Sequence, residues 1–300
     1  MAILGVAGCT LYELLRGIEF AKVIDALAGQ SMQKLIAAGV LVAAAYVALT
    51  LYDLFALHII GRHKVPYSVA ALASFTSSTI GHNLGAAILT GGLIRLRIYA
   101  VWGLTVADIA KIAVLTGITF WLGNALLLGG ATAYIPEAAS SVDRLPSWLN
   151  RAMGCAGLFG IGCYLLWLAP APRAVGFSGW RIVLPNFWFT LLQIGIGALD
   201  LTLVTLAMYV LLPATPTVEL PNVMVVFLTA TLLGTVSHAP AGLGVIEATM
   251  MLGLPQYPRE ALLAALLTFR ALYFLLPLFL ATLSLAIREL RVLASAAKSR

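Results

Sequence analysis

Thirteen residues, Thr235-Val-Ser-His-Ala-Pro-Ala-Gly-Leu-Gly-Val-Ile-Glu247, interrupt a long apolar run with a histidine, a proline, two glycines and a carboxylate. A helix passing straight through lipid would not carry them. Pro240 removes a backbone donor, and Gly242 and Gly244 make the backbone permissive. Backbone groups freed at membrane depth need partners from protein or from a wet cavity. Broken apolar segments mark transport sites, above all when the other half of the chain holds a counterpart. Here it does. Residues 74–97 run from Ser74-Phe-Thr-Ser-Ser-Thr-Ile-Gly-His-Asn83 to Gly91-Gly-Leu-Ile-Arg-Leu-Arg97 and are also apolar, broken by glycine and polar side chains.

The chain has 300 residues, 61% of them hydrophobic and only 10% charged. Soluble domains carry roughly 25% charged residues, so this is an integral membrane protein. At ~20 residues per span there is room for about seven. The net charge of +6 reads as lysine and arginine in cytoplasmic loops. No basic run lies outside the apolar spans, so nucleic acid is not an expected partner. Cys9, Cys155 and Cys163 lack metal spacing, and Cys155 and Cys163 read as packing residues of one apolar helix. His82 and His238 are not at metal spacing either. No metal and no cofactor is expected. No nucleophile–base constellation is present, so no catalytic residue is assigned.

Residues 1–34 read as the tail of a truncated first helix, or a short interfacial helix, followed by a surface segment. Residues 35–130 form a first membrane repeat, with helices over Leu35–Ile60 and Ala107–Gly130 flanking a segment broken around Gly81–Gly92. Residues 131–183 hold a loop with Pro136 and Pro146, a linking helix over Trp148–Leu168 and a Pro/Arg loop. Residues 184–287 form the second repeat, with helices over Leu184–Leu212 and Glu260–Ile287 flanking a segment broken at His238–Gly244. Residues 288–300 are a basic tail. A shift of 150 aligns Gly92-Leu93 with Gly242-Leu243 and Gly103-Leu104 with Gly253-Leu254.

If both broken segments return to the side they enter from, one face collects eleven of the 18 lysines and arginines, among them Arg62, Arg95, Arg97, Arg173 and Arg288, and the other face six. The eleven mark the cytoplasmic side. The C-terminus is then cytoplasmic, and the broken segments enter from opposite faces. The expected fold is an all-α polytopic bundle of two inverted repeats, each with a re-entrant helical hairpin, in a bacterial cytoplasmic membrane.

Thr90-Gly-Gly-Leu-Ile-Arg-Leu-Arg-Ile-Tyr-Ala-Val-Trp-Gly-Leu104 and Ser237-His-Ala-Pro-Ala-Gly-Leu-Gly-Val-Ile-Glu247 resemble two signatures of the membrane domain of bacterial phosphatidylglycerol lysyltransferases, the multiple peptide resistance factor family. Tyr52-Asp53-Leu54 and the stretch Leu262–Pro277 are similar too. The resemblance covers roughly residues 10–292 and is to the membrane domain in a stand-alone form. Ala241 and Ile246 stand where the family pattern has glycine and phenylalanine. The resemblance implies a flippase that moves aminoacylated phosphatidylglycerol to the outer leaflet, and resistance to antimicrobial peptides. In that family a separate synthase domain makes the lipid.

Four charges sit inside apolar segments: Asp53, Asp200, Glu247 and Arg270. A charge at the bilayer centre costs ~2.5–3.5 kcal/mol on insertion scales. Glu247 and Arg270 read as a buried pair facing a cavity, or as a pin between the broken segment and the next helix. Asp200 reads as a cavity acid or a helix–helix hydrogen bond, and Asp53 as a cavity acid or a snorkelling end charge. Arg95 and Arg97 suit a phosphodiester fork or simple anchoring. His82, Asn83, Gly91, Gly92, Ser237, His238, Pro240, Gly242 and Gly244 are candidates for the breaks and the cavity wall. Membrane lipids, anionic or aminoacylated, are the expected partners, with a separate synthase chain or a further copy of this chain beside them. The alternatives to a lipid translocase are a small-solute or proton-coupled carrier, and the membrane subunit of a lysyltransferase system whose synthase is another chain.

Overall fold

The computed structural model describes residues 18–85, 87–170, 173–177 and 180–298. The expectations for Met1–Leu15 and Cys9 lie outside them. The chain forms α1 (Phe20–Ala28), α2 (Met32–Ile59), α3 (Tyr67–Leu84), α4 (Ala87–Tyr99), α5 (Val106–Tyr134), α6 (Pro136–Asp143), α7 (Ser147–Leu168), strands β1 (Ala174–Phe177) and β2 (Trp180–Val183), α8 (Phe187–Leu211), α9 (Leu220–Ser237), α10 (Val245–Gly253), α11 (Arg259–Arg270) and α12 (Leu276–Lys298). A five-residue π turn, Ala271–Leu275, joins α11 to α12. Among the described residues, six helices are long and apolar enough to cross a membrane: α2, α5, α7, α8, α9 and the continuous run Arg259–Leu290. Large apolar side chains such as Leu93, Leu199 and Phe279 cover the outside, the surface that hydrocarbon wets.

Several sequence expectations need correction. The stretch before Pro146 is not all loop: Pro136 stands at the first turn of α6, where a missing N–H costs nothing. The Pro/Arg loop folds into an antiparallel β1–β2 pair, Ala174 opposite Val183, a small addition to an all-α bundle. The run 260–287 is interrupted by the π turn. Cys155 and Cys163 are exposed rather than packed.

α2 and α8 are the central helices and run antiparallel. Lys34 at the start of α2 donates to Leu212 O at the end of α8 (2.7 Å), and the Phe55 ring near the end of α2 lies 6.2 Å from that of Phe189 near the start of α8. Glycine lets α5 lie directly on α8. A Cβ on Gly197 would sit 2.3 Å from Thr119 O, and one on Gly123 2.5 Å from the Gly197 carbonyl carbon. Small residues permit such backbone contact where water cannot drive helices together.

On either side of this centre stand two helix pairs. In the first, α3 turns at Gly85 (φ 73°) into α4, and Gly91 packs against the Ser77 carbonyl. In the second, α9 turns through residues 238–244 into α10, with Gly253 packed on Val226. The two share a layout. The N-caps of α3 and α9 (66 and 219), their left-handed C-caps (85 and 238) and the N-caps of α5 and α11 (105 and 258) are each 153 residues apart. The offset of 150 was therefore out of register. Its Gly92–Gly242 match pairs a helix-interior glycine with a turn glycine, a coincidence of common residues. Gly91 and Gly92 lie inside α4, and the break is at Gly85.

Both ends of the first pair lie at the C-terminal end of α2, where Arg62 bridges to Asp108 of α5 at 2.7 Å. Both ends of the second lie at the opposite end, by Leu212. There the Tyr209 hydroxyl donates to Val218 O (3.1 Å), and Val218 and Tyr257 share one apolar cluster. The two turns meet. A Cβ on Gly85 would stand 2.4 Å from His238 O and 3.1 Å from Pro240 N.

Candidate functional site

The turn of the second pair is an unusual piece of backbone. His238 (φ 56°), Ala241 (51°), Gly242 (64°) and Gly244 (79°) are all left-handed. A side chain in that region costs roughly 1–2 kcal/mol, a cost that Ala241 bears at φ 51° and a glycine would avoid. The surroundings hold the strain in place. Ser237 Oγ donates to Gly234 O (2.8 Å) and accepts from Ala239 N (3.3 Å), and Pro240 opens a single 3₁₀ turn. Glu247 accepts from Gly244 N (2.9 Å). Arg270, reaching across from α11, pairs with Glu247 through Nε and donates to Ala241 O (3.1 Å). Glu247 and Arg270 are thus a buried pair that clamps the turn.

Asp53 is fully buried in α2 and closed on every side. Arg95 of α4 grips it through Nε (3.1 and 3.0 Å) and a terminal nitrogen (2.8 Å), and the Tyr99 hydroxyl adds a third donor at 2.8 Å. This bidentate fork pins α4 to α2. Neither snorkelling of Asp53 nor loop anchoring by Arg95 describes these residues. Arg97 is not brought to the site. It is largely exposed and forks onto Glu289 of α12 at 2.8 and 3.0 Å.

Asp200 stands apart. It is buried in the middle of α8, and its hydrogen-bond partner is the Tyr52 hydroxyl at 3.0 Å. Among the described residues, Asp53, Asp108 and Glu247 each have an arginine, and Asp200 is the buried acid without a cation. Tyr46 and Tyr273 lie within electrostatic reach of it. Tyr46 donates to Tyr273 O (2.9 Å), and Asn83, two residues before Gly85, reaches Phe274 O at 3.5 Å. Both carbonyls belong to the π turn, a kind of irregularity frequent at functional sites. Thr79 Oγ1 is buried beside the Tyr46 hydroxyl.

The other candidates are local. Ser74 Oγ bonds Leu49 O across the α2–α3 contact (2.8 Å), while Thr76 and Ser77 bond back to their own helix. His82 is exposed in the last turn of α3. His238 places Nδ1 3.0 Å from Val236 O, closing its own turn.

No family model matches the chain. Two curated proteins do. The uncharacterized protein slr0712 of Synechocystis sp. is 33% identical over 82% of this chain and 76% of its own length. The inner membrane protein YbhN of Escherichia coli is 30% identical over 91% of this chain and 85% of its own length. This chain belongs to the YbhN family. With six apolar helices and an inner-membrane relative, it is a multi-pass inner-membrane protein. Neither name mentions lysyl-phosphatidylglycerol.

For this YbhN relative, charge and glycine pointed to the turn residues and the four buried charges. They did not point to Tyr46, Tyr99 or the π turn. A tyrosine inside an apolar helix needs a partner for its hydroxyl, and that was the available signal. The π turn leaves no mark in composition.

Proposed function

We propose that this protein is a lipid translocase that moves a polar, cation-bearing phospholipid, such as aminoacylated phosphatidylglycerol, between leaflets. In this reading the helix pairs α3–α4 and α9–α10 are re-entrant and belong to two inverted repeats, and the C-terminus is cytoplasmic. The first arms, α3 and α9, have 18 residues each, and α9 is long enough to cross; the shorter second arms are what support re-entry. At 1.5 Å per residue α4 rises ~20 Å and α10 ~14 Å, short of a hydrocarbon core of ~30 Å. The antiparallel run of α2 and α8, the shared spacing of 153 residues and the meeting of the two turns support inversion.

The observation that carries the reading is Asp200. Asp53 and Glu247 are already neutralised by Arg95 and Arg270, so they hold the architecture rather than the cargo. Asp200 keeps an acceptor without a cation, within electrostatic reach of Tyr46 and of Tyr273 in the π turn, where an ammonium group would offset its desolvation. The acyl chains remain in lipid while the headgroup passes the turns. The family resemblance supplies the lipid class.

The test uses purified protein in phosphatidylcholine vesicles carrying fluorescent lysyl-phosphatidylglycerol. Headgroup crossing, read by dithionite quenching, is expected to accelerate over empty vesicles. Asp200→Asn returns it to the empty-vesicle rate, while Cys155→Ser changes nothing. Crossing that is no faster than in empty vesicles, or that survives Asp200→Asn, contradicts the reading.

A further inference from the structure

Away from the central site, α5 and α7 enclose a groove of about 670 Å³. Its shape follows from three glycines of α7. A Cβ on Gly154 would press within 2.6 Å of Gly129 O, one on Gly157 would lie 3.9 Å from Ala125 O, and one on Gly160 would meet nothing within 4 Å. The antiparallel helices therefore touch at Gly154 and separate steadily towards Tyr164. Val114, Ile118, Leu122 and Ala125 of α5 form one helical stripe along the wall. From Val114 to Ala125 the stripe is ~16 Å long, half of a ~30 Å core and so the depth of one leaflet.

At its wide end the groove meets the β1–β2 pair through Val175 and Ile182. Trp167 lines this end, and Arg173 lies over it, Cζ 5.6 Å from the ring centre, with Nε bonded to Trp167 O at 3.4 Å. Among the described residues Arg173 has no acidic partner. A cation thus sits on an aromatic at the mouth of an apolar slot one leaflet deep.

The geometry points to a phospholipid-binding site: one acyl chain lies between α5 and α7, and the lipid phosphate meets Arg173. Guanidinium and phosphate pair by charge-assisted hydrogen bonds. The site uses none of the residues of the central site and does not depend on the translocase reading. Its occupant is a resident membrane phospholipid with an anionic headgroup.

Photolabelling tests it on the full-length protein in phosphatidylcholine vesicles doped with phosphatidylglycerol that carries a mid-chain diazirine. Label is expected on Ile118, Leu122 and Tyr164 well above that on Leu192, Leu199 and Phe279, which are exposed apolar residues elsewhere. Gly160→Leu fills open space, so the protein folds, and the groove label disappears while the other positions keep theirs. Arg173→Ala lowers groove labelling by about tenfold, or ~1.4 kcal/mol. Equal labelling at all positions means bulk lipid only and overturns the proposal, as does groove label that survives Gly160→Leu. Crosslinking of the groove to another polypeptide overturns it in favour of a protein occupant. Labelling that ignores Arg173→Ala overturns the headgroup contact.

Discussion

Arg95→Leu is expected to destabilise the protein by about 3–5 kcal/mol, the usual result of stranding one member of a buried ion pair. Asp53 is 0% exposed, and without Arg95 it keeps a single donor, Tyr99. Thermal unfolding of the purified protein in detergent, followed by loss of the monodisperse peak, reads the effect. Arg97→Leu is the control. It removes the same charge two residues away, from an exposed pair with Glu289, and should barely move the transition. Replacing the whole cluster, with Asp53→Leu, Arg95→Met and Tyr99→Phe together, should recover much of the loss, because no polar group is then left without a partner. If Arg95→Leu melts like Arg97→Leu, the fork does not pin α4 to α2.

The second large effect is at Gly85. Its left-handed φ of 73°, and the 2.4 Å at which a Cβ would stand from His238 O, leave no room for a side chain. Gly85→Leu combines a left-handed penalty of roughly 1–2 kcal/mol with overpacking of roughly 1–3 kcal/mol. It should force the two turns apart, lower the unfolding temperature and abolish lipid crossing. Gly92→Leu, where a Cβ meets nothing within 4 Å, should do neither. Equal behaviour of the two variants would show that the turn-to-turn contact is unimportant.

Much of this architecture was readable from residue chemistry. Pro240 with Gly242 and Gly244 marked the second break to within a residue or two, because donor loss and left-handed backbone leave few alternatives. The first break was bracketed by Gly81–Gly92, which contains Gly85, but not pinned to one residue. Its run of glycines drew attention to Gly91 and Gly92, whereas the chain turns at Gly85 and uses Gly91 for close packing. Spacing along one chain cannot say which glycine turns and which one packs. The Glu247–Arg270 pair was foreseeable, since both are costly in hydrocarbon and only one helix connection separates them. The Asp53–Arg95 fork was not, because its members are 42 residues apart and meet only when α4 folds back on α2. The β1–β2 pair was hidden in a Pro/Arg-rich loop with too few residues to show alternation.

The central claim is that the two helix pairs dip into the bilayer from opposite faces and return. It is tested most directly by the sidedness of single cysteines in a background without native cysteine, at four exposed positions flanking the pairs: Lys64 and Val101 for α3–α4, Thr217 and Gln256 for α9–α10. A membrane-impermeant maleimide applied to oriented vesicles should reach Lys64→Cys and Val101→Cys from one face only, and Thr217→Cys and Gln256→Cys from the other only. Labelling of the two members of either pair from opposite faces would contradict the account, because that pair would then cross the membrane instead of returning.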